Sequence, residues 1–154
     1  MTEAIRPPKT NHHLALLQRV VREPELAPPI ARLIGFTITT IELGRSVVEM
    51  DTDARHANPM GTLHGGVLCD LADAALGTAM ATTLEADESF TTLDLTTKFF
   101  KPIWQAHLRA TARVTKRTRQ LGLVECEVED EHGSLVAKVF SSCMVLRGEQ
   151  ARGR

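Results

Sequence analysis

Nowhere in the 154 residues do two cysteines stand in a C-x-x-C spacing, and no apolar run is both long and uninterrupted. Cys69, Cys126 and Cys143 are scattered, which argues against a disulfide framework or a cysteine zinc site. The most apolar segment, residues 67–81, is broken by Asp70 and Asp73 and does not read as a membrane span. Met1–Thr10 carries no apolar core of a signal peptide, so a cytoplasmic protein is expected. Charge of one sign is also missing. Eighteen Lys plus Arg against 19 Asp plus Glu leave a net charge of -1, so there is no global basic field for nucleic acid, and any anion site must be local. Repeats, low-complexity tracts and long linkers are absent too. What remains is 43% hydrophobic and 24% charged, the balance of one globular domain able to bury a core.

The patterning that is present divides the chain in three. Residues 1–29 form an N-terminal extension: a loose start through Pro7 and Pro8, then a short amphipathic helix over His12–Arg22 with Leu14, Leu17 and Val21 on one side, stopped by Pro24. Pro28 and Pro29 separate it from a main domain over residues 30–146, and residues 147–154 read as a flexible tail. Within the domain, Phe36–Leu43 and Ser46–Asp51 make a hairpin around Gly44. Gly65–Leu84, free of proline and rich in Ala and Leu, is the longest helix and apolar enough to be deeply buried. Four strands follow: Phe90–Lys101, His107–Lys116, Gly122–Glu129 and Leu135–Leu146. Leu108, Ala110, Ala112 and Val114 oppose His107, Arg109, Thr111 and Arg113, and Val124, Cys126 and Val128 oppose Glu125, Glu127 and Glu129. Such alternation fits antiparallel strands with one core face. An antiparallel sheet wrapped around a long central helix, an α+β domain, is the simplest arrangement that buries that helix.

Chemistry concentrates at the helix start. Asn58 and the stretch Gly61-Thr62-Leu63-His64-Gly65-Gly66 run straight into the helix, whose first N–H groups have no internal partner and sit at the positive end of its dipole. Glycines without Cβ let a ligand approach that backbone, a plausible oxyanion hole in which one lost donor costs about 10²–10³ in rate. Asp70 and Asp73 follow, roughly 60° apart around the axis and with no basic residue at i±3 or i±4. First-turn acids commonly face water, which suits Asp70; Asp73, deeper on an apolar helix, is costly there unless it is solvated or serves a site. Gly77 leaves open space above it. His64 is available as a base but equally suited to bond backbone and fix the Gly65-Gly66 turn. The other histidines, His12, His13, His56, His107 and His132, lack ligand spacing and read as surface residues.

Asn58, Gly61-Thr62-Leu63-His64-Gly65-Gly66 and Leu71-Ala72-Asp73 together resemble the signature of the PaaI-like branch of the hotdog-fold thioesterases. Thr92-Leu93-Asp94-Leu95 with Phe99-Phe100-Lys101-Pro102 is similar to that family's next strand, and the resemblance spans about residues 30–146. It implies a hotdog fold and hydrolysis of an acyl-CoA to free acid and CoA. Asp73 then matches the catalytic acid, as general base or nucleophile, and the Gly65 amide matches the donor to the thioester oxygen. Asn58 matches a residue orienting the reacting groups, and Thr92 one that positions water. The resemblance also implies that Asp73 and the Gly65 loop meet across a subunit boundary in a homodimer or homotetramer, with no metal or cofactor. Asp70 is an extra acid, and Gly77 stands where some members carry a hydroxyl, which shifts weight to Thr92.

The basic turn Lys116-Arg117-Thr118-Arg119 is a candidate contact for the CoA phosphates beside Gly66, with Lys98 and Lys101 weaker, and a solvated turn is the plain alternative. Phe99, Phe100, Ile103 and Trp104 suggest core or subunit packing, or an acyl tunnel. Two other functions compete: a non-catalytic acyl-CoA-binding domain, disfavoured because binding a neutral thioester gains nothing from a buried acid, and an enoyl-CoA hydratase pairing His64 with Asp73.

Overall fold

The computed structural model describes residues 5, 7–10 and 12–153; the loose start expected over residues 1–10 and the end of the expected tail lie partly outside these. Helix α1 (His12–Arg22) and a short helix α2 (Pro29–Ile34) precede a hairpin of β1 (Phe36–Glu42) and β2 (Arg45–Asp51). The long helix α3 (Gly65–Ala81) leads to β3 (Glu88–Phe99), β4 (His107–Arg117), β5 (Leu121–Asp130) and β6 (Leu135–Arg147). The strands form one antiparallel sheet in the order β1-β2-β4-β5-β6-β3. This is the hotdog fold, with α3 lying across the concave face.

Alternation along β4 and β5 decides which face holds the helix. Leu108, Ala110, Ala112, Val124, Cys126 and Val128 are all buried, and the alanines on β4 leave room for a helix whose own facing residues include Ala72, Ala75 and Ala79. Leu68, Leu71, Leu76 and Met80 fill the space around them, each contributing about 2 kcal/mol by leaving water. Two buried polar ties lock helix to sheet. Ser46 Oγ donates to the Ala75 carbonyl at 2.6 Å, and the Gly44 N–H donates to Thr82 Oγ1 at 2.7 Å.

Two sequence expectations are corrected here. Pro29 does not merely separate segments: it occupies the first turn of α2, where its missing N–H costs nothing, and Gly35 closes that helix at φ 97°. His56 is no surface residue. Its Nδ1 accepts the Asp53 N–H at 3.0 Å and its Nε2 reaches the Ile34 carbonyl at 3.0 Å, so the ring pins the loop before α3 to the end of α2. His13 likewise bonds the Glu85 carbonyl at 2.9 Å, which helps hold α1 to the body alongside the packing of Leu14, Leu17 and Val21.

Candidate active site

The loop before α3 is stiffened by its own amides. Asn58 N–H donates to the Thr62 carbonyl at 2.7 Å, its Nδ2 donates to Thr62 Oγ1 at 2.8 Å, and its Oδ1 accepts the Met60 N–H at 2.9 Å. Gly61, at φ 83°, supplies the left-handed residue this turn needs. Asn58 thus keeps one amide hydrogen for a ligand. His64 N–H donates to the His56 carbonyl at 2.8 Å, and the Leu63 N–H to that of Ile103 at 2.6 Å.

His64 caps α3: its Nδ1 accepts the Gly66 N–H at 2.9 Å, which places the ring proton on Nε2. A Cβ on Gly66 would meet the ring at 2.9 Å, so this cap requires glycine there. With the Gly66 amide on the ring and the Val67 amide on the His64 carbonyl at 3.0 Å, the amide of the first helical residue, Gly65, is engaged by no hydrogen bond among the described residues.

Farther along α3, Asp73 sits on the outer side of the helix with Asp70 one turn earlier. Although exposed in the single chain, its carboxyl is partly desolvated by the residues around it, and this, followed by the charge of Asp70, raises its pKa above the ordinary carboxylate range. Thr92 of β3 and the buried thiol of Cys143 on β6 share this neighbourhood: the thiol is pushed up chiefly by burial, opposed by hydrogen bonds with Ser141 and Thr92, and feels the charges of Asp73 and Asp94. Thr92 pairs in register with Cys143, and the bulge that follows at Leu93 turns that side chain to solvent. Room for a side-chain atom does exist above Asp73 at Gly77: a Cβ there would meet only the Phe90 ring, at an ordinary contact distance of 3.6 Å. Cys143 escaped sequence reasoning because nothing local marks it; only the pairing of β3 with β6 sets it against Thr92, within reach of the charge of Asp73.

One chain therefore holds two separate clusters of candidate residues. Gly65, Gly66, His64 and Asn58 gather at the start of α3, and Asp73, Thr92 and Cys143 gather near its middle. Eight residues separate Gly65 from Asp73, about 12 Å of helix rise and about 80° of rotation, too far for both to touch one carbonyl.

The basic turn between β4 and β5 splits. Arg117 folds back so that its guanidinium meets the buried carboxylate of Glu88 at 2.7 Å, and Glu88 also holds Arg147. Burial lowers the Arg117 pKa, against the pull of Glu88. This side chain is committed to the fold; Lys116 near the end of β4 and Arg119 in the turn are exposed. Lys101, too, is committed, to Asp130. Of the aromatic group, Ile103 alone enters the core; Phe99, Phe100 and Trp104 are each more than half exposed.

The family model of the thioesterase superfamily matches residues 60–137, from the loop before α3 into β6. The chain belongs to the thioesterase superfamily, in its PaaI-like hotdog branch. It is 32% identical to the acyl-coenzyme A thioesterase PaaI of Escherichia coli over 70% of this chain and 75% of that one. With the 1,4-dihydroxy-2-naphthoyl-CoA hydrolase of Listeria monocytogenes it shares 28% identity over 73% of this chain and 89% of the relative. Among solved structures, AziG of S. sahachiroi superposes with a TM-score of 0.75 at 26% identity, covering 79% of this chain and 98% of the other. The E. coli PaaI structure superposes at 0.78 with 23% identity, covering 88% and 97%, which shows the shared fold.

Proposed function

We propose that this thioester hydrolase cleaves acyl-CoA to the free acid and CoA at a site completed by two copies of the chain. The Gly65 N–H of one protomer receives the thioester carbonyl oxygen. The Asp73 carboxylate of its partner either takes a proton from the water that attacks the carbonyl carbon, or attacks that carbon itself to form a mixed anhydride that water then hydrolyses; in either case the bond to sulfur breaks and CoA leaves as the thiolate, which takes up a proton. Thr92, paired with Cys143 on the neighbouring strand, holds the attacking water, and Lys116 and Arg119 meet the phosphates of CoA.

The observation that carries this reading is the pair of groups on one apolar helix: an unengaged amide at its positive end, and farther along a carboxylate of raised pKa. A partner supplies what the single chain separates by about 12 Å. Strand β3 supports the same reading, since among the described residues it pairs on one side only, with β6, and Leu93 on it is exposed. The names of two relatives, an acyl-coenzyme A thioesterase and a 1,4-dihydroxy-2-naphthoyl-CoA hydrolase, support testing thioesters of CoA first. The experiment is thioester hydrolysis by purified protein over an acyl-CoA panel, repeated with Asp73→Asn. A loss of about 10²–10⁴ in kcat supports the assignment, and full activity in the variant refutes it.

A further inference from the structure

We infer that Cys143 is a positioning residue: its thiol fixes the direction of the Thr92 hydroxyl, so that this hydroxyl receives a hydrogen from the attacking water and gives none to it. The inference rests on the role proposed for Thr92. Thr92 on β3 and Cys143 on β6 stand opposite each other in register. Thr92 is exposed, whereas Cys143 is 1% exposed, so the thiol acts on anything outside the core only through a neighbour.

The order of protons follows from the far end of the chain of contacts. The hydroxyl of Ser141, buried two residues before Cys143, donates to the Asp94 carbonyl at 2.9 Å. With its one proton spent, Ser141 Oγ meets Cys143 Sγ at 3.9 Å as an acceptor, which makes the thiol the donor there. A thiol also has a single proton. Toward Thr92 the sulfur is left with lone pairs, and the Thr92 hydroxyl donates to it. Burial, with the charges of Asp73 and Asp94, holds the thiol's pKa up, so it keeps the proton this order requires. Every link then runs one way: water to Thr92, Thr92 to Cys143, Cys143 to Ser141, Ser141 to the Asp94 carbonyl. A water that gives one hydrogen to Thr92 and the other to Asp73 of the same chain turns a lone pair toward the carbonyl carbon. A Thr92 hydroxyl free to turn spends part of its time donating to that lone pair or to the carboxylate, and both oppose attack.

The test is a double-mutant cycle on kcat with phenylacetyl-CoA and octanoyl-CoA. Cys143→Ala removes the acceptor for Thr92 and should lower kcat about fivefold to tenfold with KM near the wild-type value, the worth of one hydrogen bond. Thr92→Val removes the hydroxyl at an exposed position, and in that background Cys143→Ala should change kcat by less than about twofold. Ser141→Ala leaves the sulfur in place but frees its proton, and should behave likewise; it takes the place of Cys143→Ala in the cycle should that variant not fold. Unchanged kcat in the single variant, or factors that multiply, overturn the inference. The infrared S–H band of Cys143, assigned by its loss in Cys143→Ser, gives a reading free of turnover: it should shift in Thr92→Val, and a stationary band overturns the inference. Absence of any thioester hydrolysis in the wild type defeats the function proposed above and this role with it, whereas multiplying factors or a stationary band defeat the role alone.

Discussion

If the carbonyl donor and the acid belong to different chains, two dead variants must rescue each other. The first is Asp73→Asn, which keeps the shape of the acid and removes its charge. The second is Gly65→Pro, which deletes the amide hydrogen. Proline is well suited to that place because Gly65 is the first helical residue, where no intrahelical bond is lost, and His64 before it already has the extended ψ of 128° that proline demands. The added ring atoms press on the tip of Phe99, a partly exposed side chain able to yield. Each variant alone should lose about 10²–10³ or more in rate. On mixing equal amounts and allowing subunits to exchange, about half of the dimers become mixed, and each of these has one site with both native groups. The activity expected is therefore about a quarter of the wild type, recovered from two nearly inactive preparations. The assay is thioester hydrolysis before and after exchange by dilution or mild urea, with mixed dimers verified by mass. Were donor and acid used within one chain, every mixed dimer would stay inactive, so verified exchange without recovered activity refutes the reasoning.

Three further outcomes are expected. Replacing His64 by Ala removes the α3 cap and should lower unfolding free energy by about 1 kcal/mol in urea titrations, whereas His64→Asn, which restores a side-chain acceptor for the Gly66 amide, should recover most of it. Glu88→Gln leaves Arg117 and Arg147 facing a neutral group in a buried setting and should cost about 3 kcal/mol, while KM for acyl-CoA stays near the wild-type value; a raised KM with unchanged stability would return Arg117 to the substrate. Because the Asp73 pKa is raised in the fold, its ionisation costs stability as pH rises through the folded pKa, and the cost vanishes below the unfolded one. Asp73→Asn should accordingly melt above the wild type at neutral pH, with the gap closing as pH falls into the carboxylate range, and equal melting temperatures at both ends would contradict that sign.

The succession of two strands, one buried helix and four strands was legible because period-2 patterns on β4 and β5 and a long proline-free run on α3 are local signals, whereas the pairing order within the sheet, with β3 at an edge beside β6, was not. The helix α2 was not, since six residues bounded by Pro29 and Gly35 are too few to show a period. At the site, the glycine loop and the acid stood out by their chemistry against an apolar background. The inward turn of Arg117 depended on Glu88, 29 residues away, and the exposure of Phe99 and Trp104 on how far β3 runs past the end of the core. Neither is encoded by neighbours in the chain.

Because Gly65 and Asp73, the two groups of the proposed site, are both mounted on α3, its regular rise acts as a ruler whose length a side-chain change along it does not alter. In a paired assembly that ruler sets the spacing between the two reaction centres. New acyl preferences must then arise where the rod is met by other parts, along β3 and the Phe100–Ile103 segment, leaving the chemistry of the rod untouched.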